Sequence, residues 1–172
     1  MATSTYNLIA SQVVGSGGAS SITFSSIPAT YTDLVVKVSA RDTSTADASG
    51  NYYTIAFNTG GTYSAKYLQG NGSSASSGNL GGLAGISASS ASGSTAYTFS
   101  NDEIYIPNYA GSNAKSYSVD TVTEHNATGA YATLVAGLWS GTGAITKIVL
   151  APSISASFVQ YSTFYLYGIN NS

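Results

Sequence analysis

The chain has one histidine, His125, and it directly follows a carboxylate, Glu124. An imidazole beside a carboxylate is a common start for general acid–base chemistry, provided both groups reach the same substrate atom. In a strand, adjacent side chains point to opposite faces, so this pair is poorly set for that work. A serine triad built on His125 would need a nucleophile, and no Gly-x-Ser-x-Gly elbow is present. His125 therefore reads as a loop residue before the turn Asn126-Ala127-Thr128-Gly129.

The other acidic residues are Asp33, Asp42, Asp47, the pair Asp102-Glu103, and Asp120. Asp120 and Glu124 fall on one strand face but lie roughly 13 Å apart along an extended chain, which is no glycosidase pair. Asn101-Asp102-Glu103 could offer oxygens to calcium, yet the spacing of an EF-hand is missing, and the segment reads as a polar turn. Gly15-Ser16-Gly17-Gly18 and Gly81-Gly82 lack the Lys-Ser/Thr and the helix of a phosphate loop. Without cysteine there is neither a disulfide nor a thiolate metal site. No catalytic residue, metal or cofactor is assigned, and the expected protein is not an enzyme. Asn71-Gly72-Ser73 and Asn126-Ala127-Thr128 match the glycosylation sequon, but Met1 to Thr5 carries no secretory signature and both read as turns.

The elements behind these residues are strands. Asp33 to Arg41 sets Leu34, Val36, Val38 and Ala40 on one face, a period of two with one apolar side. Asn51 to Asn58 aligns Tyr53, Ile55 and Phe57, and Thr62 to Gln69 aligns Tyr63, Ala65 and Tyr67. Ala114 to Glu124 sets Tyr117 and Val119 against Ser118 and Asp120. Tyr131 to Trp139 is apolar on both faces, which predicts a central strand covered on both sides, with Trp139 in the core. Glu103 to Ile106, Ala144 to Leu150, Ser162 to Ile169, Ser20 to Ile27 and Tyr6 to Val14 complete the set. The last of these is either a core strand or an arm that crosses to a neighbour. No helical stripe is present. The reading is a single all-β domain over 1–172, a jelly-roll-like antiparallel sandwich of about eight to ten strands.

Between Gly70 and Thr95 the chain is mostly Ser, Gly and Ala, and this reads as one long loop. Leu80, Leu83 and Ile86 interrupt it and require burial, either in the domain's own core or against a neighbouring subunit.

Charged residues are only 7% of the chain, where an ordinary domain has about a quarter. Five Lys and Arg, scattered singly, argue against nucleic acid and anionic membrane as partners. Interfaces deplete charge at their centres and favour tyrosine, and this chain has 14 tyrosines. No charge lies between Lys66 and Asp102, nor after Lys147, so those stretches are expected to meet other subunits. Candidate interface residues are Tyr6, Leu8, Tyr63, Tyr67, Leu80, Leu83, Ile86, Tyr165 and Tyr167.

Several stretches carry a resemblance: Ser21 to Pro28, Tyr31 to Leu34, Ile104-Tyr105-Ile106-Pro107-Asn108-Tyr109, Ala136-Gly137-Leu138-Trp139, and Ser162 to Ile169. In that order the chain resembles small virion proteins of tailed phages, particularly marine and cyanobacterial ones. The resemblance implies a jelly-roll-like sandwich on the capsid surface, made in the host cytoplasm. Its expected role is cement or decoration, as a homotrimer bound to the major capsid protein. A tail-fibre or spike component that binds host glycan is the alternative.

Overall fold

The computed structural model describes residues 4–45, 52–80, 86–88, 90–124, 129–152 and 155–170, and of 86–88 the backbone only. Twelve strands and no helix are present among them: β1 (Tyr6–Val13), β2 (Ile22–Phe24), β3 (Asp33–Ser39), β4 (Tyr52–Phe57), β5 (Tyr63–Gly70), β6 (Ala75–Asn79), β7 (Ile86–Ala88), β8 (Asn101–Ile106), β9 (Lys115–Thr123), β10 (Tyr131–Trp139), β11 (Ile148–Pro152) and β12 (Thr163–Ile169). They form two antiparallel sheets, β1-β12-β3-β8-β9-β10-β5-β6 and β2-β11-β4-β7. The inner faces share one apolar core, which makes the fold a β-sandwich.

Eight of the strands pair as one long hairpin: β1 with β12, β2 with β11, β3 with β8, and β4 with β7. Rolling that hairpin sends its pairs alternately to the two sheets, which is jelly-roll connectivity. The other four strands are two insertions. The β5–β6 hairpin sits at the tip of the long hairpin, and β9–β10 interrupts the return from β8 to β11. Pairing of β9 with β8 and of β5 with β10 adds both hairpins to the same sheet. One sheet is thereby twice as wide as the other.

β3 repeats the predicted alternation, with Leu34, Val36 and Val38 buried. Across from it, Phe57 of β4 meets the rings of Tyr117 (centroids 5.3 Å), Trp139 (5.9 Å) and Tyr63 (6.1 Å). Tyr117 fits because Gly137 faces it on β10: a Cβ there would stand 2.1 Å from the phenol ring.

Four expectations change. First, 70–95 is no single loop, since it contains β6 and β7. β6, Ala-Ser-Ser-Gly-Asn, is held by its ladder to β5 and has no buried side chain, so hydrophobic alternation could not reveal it. Asn71 Oδ1 accepts the Ser73 and Ser74 amides (3.1 and 2.8 Å) in the turn that joins the two strands, where Gly72 has φ +85°. Second, Asn101-Asp102-Glu103 begins β8 rather than forming a polar turn, and Asp102 is buried. Third, residues 144–147 precede β11 rather than starting it, because Asn58 Oδ1 accepts the Thr146 and Lys147 amides (2.9 and 3.0 Å). Fourth, β10 is covered on one face only. Tyr6–Val13 pairs with β12 and forms an edge strand of the wide sheet, with no fully buried side chain.

Candidate functional site: the outward face of the wide sheet

Alternation in β9, β10 and β5 divides their side chains cleanly. Inward go Tyr117, Val119, Val135, Trp139 and Ala65. Outward go Ser116, Ser118, Asp120 and Val122 of β9, then Ala132, Leu134, Ala136 and Leu138 of β10, then Ser64, Lys66 and Leu68 of β5. Leu68 and Leu134 are each 55% exposed, Val122 44% and Leu138 43%. Four large aliphatic side chains in solvent on adjoining strands are more than the scattered single residues of an ordinary surface.

Register orders the face into rows. Asp120, Leu134 and Leu68 lie side by side across three strands, and the next outward row is Ser118, Ala136 and Lys66. Small residues in that second row leave two adjoining depressions of about 420 and 570 Å³, both lined by Lys66 and Ala136. On the neighbouring strands Lys37 pairs with Glu103. The Lys66 ammonium donates instead to Asn79 Oδ1 at 2.6 Å, away from the leucines.

The same sheet carries aromatic rings at its other end. Tyr6 and Leu8 of β1 are 50% and 56% exposed, and Tyr165 and Tyr167 of β12 stand half-buried beside them. Tyr167 stacks on Tyr165 (6.5 Å) and meets Tyr6 edge-on (6.1 Å). Val35 is outward-facing yet buried, since Tyr167 and Tyr105 flank it in register.

Other interface candidates serve the fold itself. Tyr63 accepts the Phe57 amide at 2.7 Å, Tyr67 lies over Gly78, and Leu80 packs against the core. Of the two destinations considered for Leu80, the domain's own core is the one observed. Leu83 and the side chain of Ile86 lie outside the described residues, as do His125, Asp47, Gly81-Gly82 and Asn126-Ala127-Thr128. The outward row of β10 was missed by sequence reasoning, because an all-apolar strand does not say which face is covered.

The charged groups divide between surface and interior. Asp42, Asp102 and Lys115 are buried. Asp102 accepts hydrogen bonds from Ser100 (2.7 Å), from Tyr53 of the opposite sheet (2.9 Å), and from Thr121. Lys115 donates to the carbonyls of Gly111 (2.6 Å), Asn113 and Thr142 (3.4 Å), and burial lowers its pKa. Arg41 clamps the 94–98 segment through the carbonyls of Ser94, Thr95 and Thr98. The surface is thus poorer in charge than the composition suggests. Among the described residues no three His, Asp or Glu converge as metal ligands.

Phenols set the alkaline behaviour. Burial raises the pKa of Tyr63 and Tyr109, and the hydrogen bond to the Asp33 carboxylate (2.8 Å) raises that of Tyr105. A raised folded pKa gives stability that is complete below the unfolded value of about 10 and is lost as pH climbs through the folded value. Lys115 has the opposite sign, because its folded pKa lies below 10.5 and deprotonation relieves its burial. The phenols' share of the urea midpoint should therefore be intact up to about pH 10 and fall above it. Tyr105→Phe should flatten part of that fall, and an unchanged alkaline slope in that variant would refute the assignment.

No protein-family model matches the chain, and neither a curated protein nor a solved structure matches it.

Proposed function

We propose that this chain is a non-enzymatic structural subunit of a phage particle, a decoration protein that binds the major capsid protein as a homotrimer and stiffens the shell. The observation that carries the reading is the outward face of the wide sheet, where Leu68, Val122, Leu134 and Leu138 stand in solvent on a charge-poor chain. Covering apolar surface yields about 25 cal/mol per Å², a small gain per copy that accumulates over the many copies of a shell. Jelly-roll architecture and the sequence resemblance to virion proteins of tailed phages support the same reading. The stacked Tyr165–Tyr167 pair with Tyr6 favours one second reading, a fibre component whose aromatic faces hold a glycan.

Cosedimentation with emptied capsids tests the proposal. Bound protein, and shells that withstand higher temperature when decorated, are expected. Binding to host cells or a glycan panel with none to shells would overturn it in favour of the fibre reading.

A further inference from the structure

The face is bipolar. Its acidic side lies on β8 and β9, where Asp120 stands in register with Glu103, itself paired with Lys37. Its basic side is Lys66 on β5, and Leu134 with Leu68 separates the two. Asp120 and Lys66 are two strands and two residues apart, roughly 12 Å, with β10 between them. Among the described residues Asp120 has no ion-pair partner, and Lys66 turns to Asn79.

That arrangement is self-complementary. A two-fold axis lying in the face and crossing β10 between Leu134 and Ala136 exchanges the two ends. Each Lys66 then lies over the partner copy's Asp120, and Leu134 and Leu68 meet the same two leucines of the opposite copy. We propose that the occupant of this face is a second copy of the same chain, joined by a two-fold contact with reciprocal Lys66–Asp120 pairs around a leucine centre. The inference rests on reading the face as a subunit contact and names the partner. A partner of unrelated sequence would not require opposite charges placed symmetrically about the apolar centre. If copies also close around a three-fold axis, the two-fold contact joins two trimers.

Charge exchange tests the inference on the full chain. Lys66→Asp and Asp120→Lys each set like charges opposite one another, which should weaken the contact about 100-fold and halve the mass seen by light scattering. Both side chains are exposed, so the melting temperature of the dissociated form should not change. The double variant should regain the mass. An equimolar mixture of the two single variants should also assemble, because each then faces its opposite charge.

Wild-type mass that neither single variant alters would overturn the two-fold contact while leaving assembly itself intact. Failure of both the double variant and the mixture to reassociate would overturn it as well. Monomeric wild type whose capsid binding is lost in the single variants would assign the face to the shell protein instead. Monomeric wild type without capsid binding would remove both readings.

Discussion

Phe57→Ala should cost about 3–5 kcal/mol, the usual range for truncating a buried phenylalanine. Phe57 is 1% exposed and stands where the narrow sheet meets the inserted hairpins, against Tyr63 of β5, Tyr117 of β9 and Trp139 of β10. These rings lean on one another, and each has a fixed support. Tyr117 fills the space left by Gly137, while the Trp139 indole N–H donates to the Gly60 carbonyl at 3.1 Å. Gly61 beside it has φ +80° and no room for a Cβ, since one would stand 2.2 Å from the indole nitrogen. Collapse around a missing Phe57 ring is therefore limited, and a cavity should remain. Domains of this kind have about 5–15 kcal/mol in total, so the variant should be marginal at physiological temperature. Urea unfolding measures the loss, and Phe57→Leu should recover most of it. A loss below about 1 kcal/mol would show that this aromatic cluster is not packed as described.

Asp102→Ala should cost about 3 kcal/mol, from removal of one buried acceptor shared by three hydroxyl groups. The carboxyl ties β8 to its neighbour β9 through Thr121, and to the opposite sheet through Tyr53 of β4. It is a polar joint inside an apolar sandwich. Asp102→Asn keeps the shape and an acceptor oxygen, so it should cost less. In a double-mutant cycle, Tyr53→Phe and Asp102→Ala should couple by about 0.5–3 kcal/mol, as groups of one network do. Additive losses would mean that the two sheets are not joined through this bond.

How legible these features were in the sequence varied with the kind of signal. Strands with one apolar face, such as β3 and β9, could be read because their burial alternates with a period of two. Asp102 was legible in principle: it shares parity with Ile104 and Ile106, both buried, so a strand begun two residues earlier would have put it on the core side. β6 could not be read, since a strand of Ala, Ser, Gly and Asn held by its backbone ladder has no apolar period. The outward face of β10 was hidden for the opposite reason. With Ala132, Leu134, Ala136 and Leu138 on one side and Thr133, Val135, Gly137 and Trp139 on the other, both faces look coverable. Only the sandwich, with its narrow second sheet on one side, distinguishes them. The paucity of charge was plain from the composition, but its location needed the fold, because Asp42, Asp102 and Lys115 are buried.

The central claim is that the exposed leucine face becomes buried when subunits assemble. Light-scattering mass of the wild-type chain beside Leu134→Asp tests it most directly. Leu134 is 55% exposed, so the substitution should leave the melting temperature of the single subunit unchanged. The account predicts a multimeric wild type and a Leu134→Asp variant of lower mass. A variant of unchanged mass, or a monomeric wild type that also fails to bind shells, would contradict it.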